Sequence, residues 1–289
     1  MAFFGARAAF VAGGLDWMIG VVPVVEGAVL AVLLRSLLAL EPAGQRDLGR
    51  LALVAGAALA FVTVAIPLQL KNQWITIGWA LEGLALSWLY RRIPHRGLLY
   101  FAAGLLGTVF ARLALNPEIL LYEPRGAMRI FNWYFYAYLT CAVAMLLATW
   151  LLQRTDDRLP GGIRLSALLP AAGTILLFYL LNIEIADFYA TGPTIMFRFG
   201  VTVAQDLTYT IGWLAFGMAL LAAGIYLVNR VARVAAVAMI AVTTFKCFLY
   251  DLSSLEGLAR VASFVGLAIS LALVSLALQK FVLHTRSAT

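Results

Sequence analysis

The sequence predicts an all-α membrane protein, a polytopic transmembrane helical bundle of about nine spans. Of the 289 residues, 63% are hydrophobic and 12% are charged, whereas a soluble domain is about one quarter charged. The mean hydropathy is +0.94, and the apolar residues fall into blocks of about 18 to 25, the length that a helix needs to cross a hydrocarbon core. This composition excludes a soluble enzyme, a secreted disulfide scaffold and a disordered chain.

Nine apolar blocks define the predicted helices in chain order. In lipid the backbone N–H and C=O groups must bond within their own segment, which favours helices, and no block alternates as a barrel strand would. The predicted spans are 17–40, 49–70, 74–91, 97–115, 130–152, 164–187, 207–228, 231–250 and 257–282. The two longest connectors, 116–129 and 188–206, contain Pro and Gly residues and are predicted to be surface loops on one side of the membrane.

The charged residues indicate an orientation across the membrane. Lys and Arg number 21 and Asp and Glu number 14, which gives a net charge of +7. Cytoplasmic loops collect Lys and Arg, so this charge indicates topology and no nucleic-acid partner is expected. The basic connectors contain Arg46, Arg50, Arg91, Arg92, Arg96, Arg154, Arg158, Arg164, Arg230, Arg233, Lys280 and Arg286. We therefore predict a multi-pass protein of the bacterial inner membrane, with its N-terminus outside and its C-terminus in the cytoplasm.

An internal repeat is the most informative pattern. The segment Thr76–Trp79, with sequence TIGW, recurs 134 residues later as Thr210–Trp213. The same offset pairs Arg112 with Lys246. The two copies are separated by four predicted spans, so they point the same way, as in transporters built from parallel repeats.

The repeat sets the predicted domain organisation. We expect a single transmembrane domain over 1–289, with a leading helix, a first four-helix repeat at about 45–155 and a second at about 164–285. The copies differ at polar positions, because Glu82 of the first corresponds to Phe216 of the second. A duplicated scaffold with asymmetric polar residues is therefore predicted.

Three segments resemble a known family. These are 246–264 (KCFLYDLSSLEGLARVASF), 74–83 (WITIGWALEG) and, more loosely, 181–186 (LNIEIA). They resemble the signature of the bacterial domain-of-unknown-function family 2339, predicted multi-pass membrane proteins. The resemblance covers roughly 50–285; members are usually longer, with more spans ahead, so the chain is expected to correspond to their C-terminal part. The family label implies no activity.

Two carboxyl groups are predicted to lie within the hydrocarbon region. Glu26 and Glu82 fall near the middle of their spans. An ionisable group there costs several kcal/mol unless it is paired or hydrated, so it points to function. Each is a candidate proton or ion site, and the structural alternative is an interhelical hydrogen bond that fastens the bundle.

A second group of charges is predicted at the outer ends of the spans. Lys246 and its repeat partner Arg112 could face each other and hold an anion such as a phosphate or carboxylate, with Asp251 beside them. Glu184 and Asp187, three residues apart, share a helix face and would line the same vestibule or form solvated helix ends.

The start of the ninth predicted span has a local explanation as well. Ser253 and Glu256 have the spacing of a capping box, and Glu256 and Arg260 form an i, i+4 pair. These residues are therefore candidates both for binding and for a capped helix start.

These patterns leave three functions open. The leading hypothesis is transport or handling of an anionic or lipid-linked envelope molecule through a polar pocket in the outer half. The alternatives are an envelope enzyme acting on a lipid-linked glycan, with Asp251 or Glu184 as general base, and a non-catalytic partner of another membrane protein. No metalloprotease, nucleophile-elbow, P-loop or dinucleotide motif is present, and neither a metal nor a cofactor is predicted.

Overall fold

A computed structural model describes residues 21–40, 47–70, 73–121, 129–192, 195 and 202–247, and the single positions 265, 272 and 275. The described residues form eight α-helices, one short 3-10 helix and no β-strand. The all-α fold class predicted from the sequence is confirmed for this part of the chain.

The helices follow the predicted apolar blocks. They are α1 (Val21–Leu40), α2 (Leu48–Gln69), α3 (Gln73–Arg92), α4 (Arg96–Leu115), α5 (Trp133–Leu152), α6 (Leu165–Tyr189), α7 (Val203–Tyr226) and α8 (Arg230–Lys246), with the 3-10 helix (Pro117–Leu121) after α4. The ninth block, 257–282, lies outside the described residues except for three helical positions, Val265, Ala272 and Ser275.

Six of these helices are long and apolar enough to cross a membrane: α1, α2, α4, α5, α6 and α7. Of the other two, α3 contains Glu82 and ends in Arg91 and Arg92, and α8 has only 17 residues. The structure therefore supports a membrane protein with several spans. The count of nine spans remains a prediction.

Side-chain caps fix where the helices begin. Oδ1 of Asp47 accepts hydrogen bonds from the amides of Gly49 at 2.9 Å and Arg50 at 3.1 Å. These amides have no partner within the helix, so the cap stabilises the first turn of α2. Caps of the same kind start α4, α5, α7 and α8, at His95, Asn132, Thr202 and Asn229.

The connector between α5 and α6 is organised around a buried carboxylate. The Asp157 side chain is fully buried and accepts hydrogen bonds from Nε of Arg164 at 2.9 Å and the amide of Ser166 at 2.6 Å. Burial alone would raise the pKa of Asp157, but these hydrogen bonds and the Arg164 charge outweigh it and hold the pKa below its ordinary value. The turn itself uses Gly161 and Gly162, with φ of 93° and 83°, a backbone region that favours glycine.

The chain forms two compact units, one up to Leu180 and one from Leu181, with the boundary inside α6. In the first unit, the core is built on tyrosines as well as aliphatic residues. The Tyr138 hydroxyl donates to the Leu113 carbonyl at 2.9 Å, and the Tyr90 hydroxyl donates to the Asp156 carbonyl. These bonds join α5 to α4 and the end of α3 to the connector between α5 and α6.

Two helical hairpins have corresponding boundaries. α3 ends at Arg92 and α4 begins at Arg96; α7 ends at Tyr226 and α8 begins at Arg230, the same positions shifted by 134 residues. The α3–α4 hairpin belongs to the first unit and the α7–α8 hairpin to the second.

A glycine allows the two helices of each hairpin to approach closely. A Cβ placed on Gly83 would lie 2.7 Å from Cγ of Leu106, and one placed on Gly217 would lie 2.9 Å from Cγ1 of Ile240. Leu106 and Ile240 are again 134 residues apart. Both contacts therefore join corresponding positions.

The tryptophan of each TIGW segment contacts the helix that precedes its hairpin. Nε1 of Trp79 donates to the Thr63 carbonyl on α2 at 3.4 Å, and Nε1 of Trp213 donates to Oδ1 of Asn182 on α6 at 2.9 Å. A Cβ on the preceding glycine would contact an isoleucine of the same helix in both cases, at Gly78–Ile66 and Gly212–Ile185. On these preceding helices the corresponding positions are 119 residues apart.

Candidate functional site

The best-defined polar site in the first unit is the carboxyl group of Glu82 on α3. Glu82 is 4% exposed, and its Oε1 is hydrogen-bonded to the Thr63 hydroxyl on α2. Its other oxygen, Oε2, is buried and has no hydrogen-bond partner among the described residues. One half of the carboxyl group is therefore satisfied and the other is not.

The Thr63 hydroxyl links this carboxyl group to the backbone. Oγ1 of Thr63 also lies 3.0 Å from the Leu59 carbonyl one turn earlier. A hydroxyl has one proton to donate, whereas a backbone carbonyl only accepts. If Thr63 donates to Leu59, Glu82 must be protonated and donate to Thr63. If Glu82 is ionised, Thr63 must turn its proton towards it and give up the bond to Leu59.

The neighbouring positions of α3 complete the surroundings of this site. Nε1 of Trp79 donates a hydrogen bond to the backbone carbonyl of the same Thr63. Thr76, one turn earlier, is fully buried, and its hydroxyl has no hydrogen-bond partner in the described part of the chain. Sγ of Cys141 on α5 lies 3.9 Å from the Thr76 carbonyl. α3 therefore carries two buried oxygens without a hydrogen-bond partner in the described part of the chain, Oγ1 of Thr76 and Oε2 of Glu82.

In the second unit, the Lys246 side chain at the end of α8 is hydrogen-bonded to α7. Its Nζ donates to Oγ1 of Thr210 at 2.8 Å and to the Asp206 carbonyl at 3.2 Å. Thr210 in turn donates to the same Asp206 carbonyl at 3.1 Å. The ammonium group at the end of α8 is thus held by the threonine of the second TIGW segment, beside the buried residue Asp206.

The facing ends of α6 and α7 carry further buried polar groups. Asp187 is 3% exposed, so it is not a solvated helix end, and Glu184 is half-buried. The Tyr189 hydroxyl lies 2.8 Å from Oγ1 of Thr208. The second unit therefore combines a cation with acidic and hydroxyl groups within three neighbouring helices.

For the remaining residues that the sequence predicted, the part of the chain that the structure describes shows no shared site. Arg112 lies in the last turn of α4 in the first unit and Lys246 in the second, so a shared anion site stays a prediction. Asp251, Glu256 and Arg260 lie outside the described residues. Within the described ranges, no three His, Cys, Asp or Glu side chains gather as a metal site.

Sequence reasoning missed Thr63 as the partner of Glu82. Threonine inside an apolar block carries little signal, because its hydroxyl commonly bonds to the carbonyl four residues earlier. The one available clue is that Thr63 and Glu82 lie at similar distances from the short connector between α2 and α3, so the antiparallel hairpin brings them to similar depth.

Comparison with known proteins assigns the family. The family model of predicted membrane proteins, DUF2339, matches residues 1–204 and 196–281. Neither curated proteins nor solved structures give a match. The family match extends over the described helices and the site residues Glu82 and Lys246, in agreement with the resemblance of the TIGW and C-terminal segments. The chain belongs to the predicted membrane protein family DUF2339.

Proposed function

We propose that the protein is a proton-linked transporter of an anionic or amphipathic envelope molecule, in which Glu82 carries the proton. The observation that carries this proposal is the Glu82 carboxyl group, buried on α3 with only one of its oxygens hydrogen-bonded among the described residues. Ionisable groups in such positions are costly and characteristically mark proton or ion pathways.

The hydrogen bonds of Thr63 support a proton-carrying role. The hydroxyl has one acceptor on each side, the Leu59 carbonyl and Glu82. When the carboxyl proton is lost, the hydroxyl can turn its own proton towards Glu82 without moving a helix, and it then gives up its bond to the Leu59 carbonyl. The site therefore has a hydrogen-bond arrangement for each protonation state.

The second unit supplies support for an anionic substrate. The Lys246 ammonium group is held in place by Oγ1 of Thr210 and the Asp206 carbonyl. A cation fixed in this way can attract a phosphate or carboxylate. Arg112, its partner at the 134-residue offset, is the second proposed anion-binding residue.

The repeated contacts support a duplicated scaffold for this transport. Corresponding glycine and tryptophan contacts occur in the two hairpins and their preceding helices, and parallel repeats are one architecture of membrane transporters. We place the protein in the bacterial inner membrane with the basic connectors in the cytoplasm, as the positive-inside rule predicts.

The proton-carrying role can be tested without knowing the substrate. The purified protein in lipid nanodiscs would be titrated while the infrared carbonyl absorption of protonated carboxylic acids is recorded. We expect a buried carboxyl band that disappears in Glu82→Gln and changes frequency in Thr63→Val, which lacks the hydroxyl. The matched control is Glu118→Gln, the same change at an exposed carboxylate, which should keep the band.

Exchange of the carboxyl proton separates transport from a structural role. In D2O the Glu82 band should shift within minutes, because a proton carrier must be reached from water. A band that persists in Glu82→Gln, or one that stays unexchanged for hours, would contradict the proposal and favour a hydrogen bond that only fastens α2 to α3.

A further inference from the structure

A groove runs between α3 and α5, which lie parallel to each other in the first unit. Near their N-terminal ends, the rings of Trp74 and Tyr136 stack with centroids 5.8 Å apart. At their C-terminal ends, the Arg91 guanidinium lies 5.8 Å from the centre of the Trp150 ring. Both helices therefore run in the same direction, with one of these contacts at each end of the groove.

The middle of the groove is an apolar cavity of about 260 Å³. Pockets for drug-sized ligands begin at about 300 Å³, so this space suits a narrow hydrocarbon chain better than a compact solute. It is lined by Leu81, Leu84, Leu139, Thr140, Val143, Ala144 and Leu147. Leu81, Val143 and Leu147 are 41–49% exposed, so the cavity opens sideways, where lipid surrounds a membrane-spanning bundle.

The C-terminal end of the groove carries two arginines that lie over indole rings. Arg91 lies over Trp150, and Arg92 lies over Trp88 at 5.6 Å. A guanidinium placed over a ring in this way keeps N–H donors that a phosphate can accept from. Neither arginine forms an ion pair with the described residues, in contrast to Arg96, which pairs with Asp156 at 3.7 Å.

The apolar and cationic parts lie on the same faces of the two helices. On α3, Leu81, Leu84 and Trp88 follow the i, i+3, i+7 spacing of one helix face. On α5, Val143, Leu147 and Trp150 follow the equivalent i, i+4, i+7 spacing. Seven residues of helix span about 10 Å, so the two arginines lie close to the C-terminal end of the cavity.

We propose that this groove binds one anionic phospholipid, with an acyl chain in the cavity and its phosphate on Arg91 and Arg92. The combination of a narrow apolar channel and two cations at one end matches the two parts of such a lipid. Basic pockets between transmembrane helices are a known means of binding anionic headgroups. The proposal concerns a surface separate from Glu82, which is buried on α3.

The test is native mass spectrometry of the detergent-purified protein titrated with phosphatidylglycerol, and with phosphatidylcholine of the same acyl chains. We expect one phosphatidylglycerol to bind with an affinity about tenfold above that of phosphatidylcholine. The Arg91→Ala/Arg92→Ala double variant should lose this preference, since each cation near a headgroup contributes to binding. Arg158→Ala, which removes a charge paired with Asp156 at 3.8 Å, is the matched control and should keep it.

A second variant separates a lipid site from general electrostatic attraction. Val143→Trp fills the cavity from its exposed side while both arginines remain, and should also reduce phosphatidylglycerol binding about tenfold. Equal binding of the two lipids to the wild type, or full binding to Val143→Trp, would overturn the proposal. Glu82→Gln should bind the lipid as the wild type does, so failure here is distinguishable from failure of the proton-carrier proposal.

Discussion

The contact between Gly83 and Leu106 gives a prediction whose size follows from the structure. Replacing Gly83 by Ala would place a Cβ 2.7 Å from both Cγ and Cδ2 of Leu106, closer than carbon atoms normally approach, at about 3.5–4.0 Å. Leu106 is 1% exposed, so it cannot turn away freely, and α3 and α4 must separate. Overpacking of this kind costs about 1–3 kcal/mol.

Helix propensity acts in the opposite direction and must be separated from the clash. Ala is favoured over Gly in a helix interior by about 1 kcal/mol. Gly104 on α4 is the matched control, because a Cβ there has nothing within 4 Å. Gly83→Ala and Gly104→Ala share the propensity gain, so the difference between their unfolding free energies isolates the clash, with Gly83→Ala less stable by about 1–3 kcal/mol.

Unfolding in mixed detergent and dodecyl sulfate micelles, followed by tryptophan fluorescence, would measure both variants. Gly217→Ala should behave as Gly83→Ala does, since its Cβ would lie 2.9 Å from Cγ1 of Ile240. If Gly83→Ala and Gly104→Ala were equally stable, the close approach of α3 and α4 would be refuted.

Two further predictions concern polar groups. Because the pKa of Asp157 is held below its ordinary value of 3.8, its stabilising contribution is present above that pH and is lost as the pH falls through the lower value of the folded protein. Melting temperatures at about pH 7 and about pH 3 should therefore differ more for the wild type than for Asp157→Asn, and equal differences would contradict this assignment. Trp213→Phe removes the 2.9 Å bond to Asn182 and should cost about 1 kcal/mol, measured by the same micelle unfolding. Trp79→Phe loses only a longer bond of 3.4 Å and should cost less; the reverse order would contradict the structure.

Helix positions are predictable from the sequence where apolar length alone decides them. The predicted span 97–115 agrees with α4 to one residue, because a long apolar block in lipid has one way to satisfy its backbone. Boundaries shift where a polar cap decides instead. α7 begins at Val203, four residues before the predicted start, because Thr202 caps it and the polar residues Gln205 and Asp206 occupy its first turn.

The candidate site was predictable only in part. Glu82 stands out in an apolar block, and the structure buries it. Its hydrogen bond to Thr63 depends on how α2 and α3 are rotated against each other, which periodicity does not specify. The sequence also left Asp187 open between a vestibule and a solvated helix end, since a charged residue near a helix terminus fits both; packing of the second unit buries it.

The two glycine contacts do not require the residues beside the glycines to have the same charge. One residue before Gly83 stands Glu82, and one residue before Gly217 stands Phe216, although both hairpins close in the same manner. The close approach of the two helices therefore requires a residue without a side chain at one position. It does not depend on the charge of the adjacent residue. An exchange of Glu82 and Phe216 between the hairpins would ask whether a titratable group can be relocated to the second unit while the helices keep their spacing.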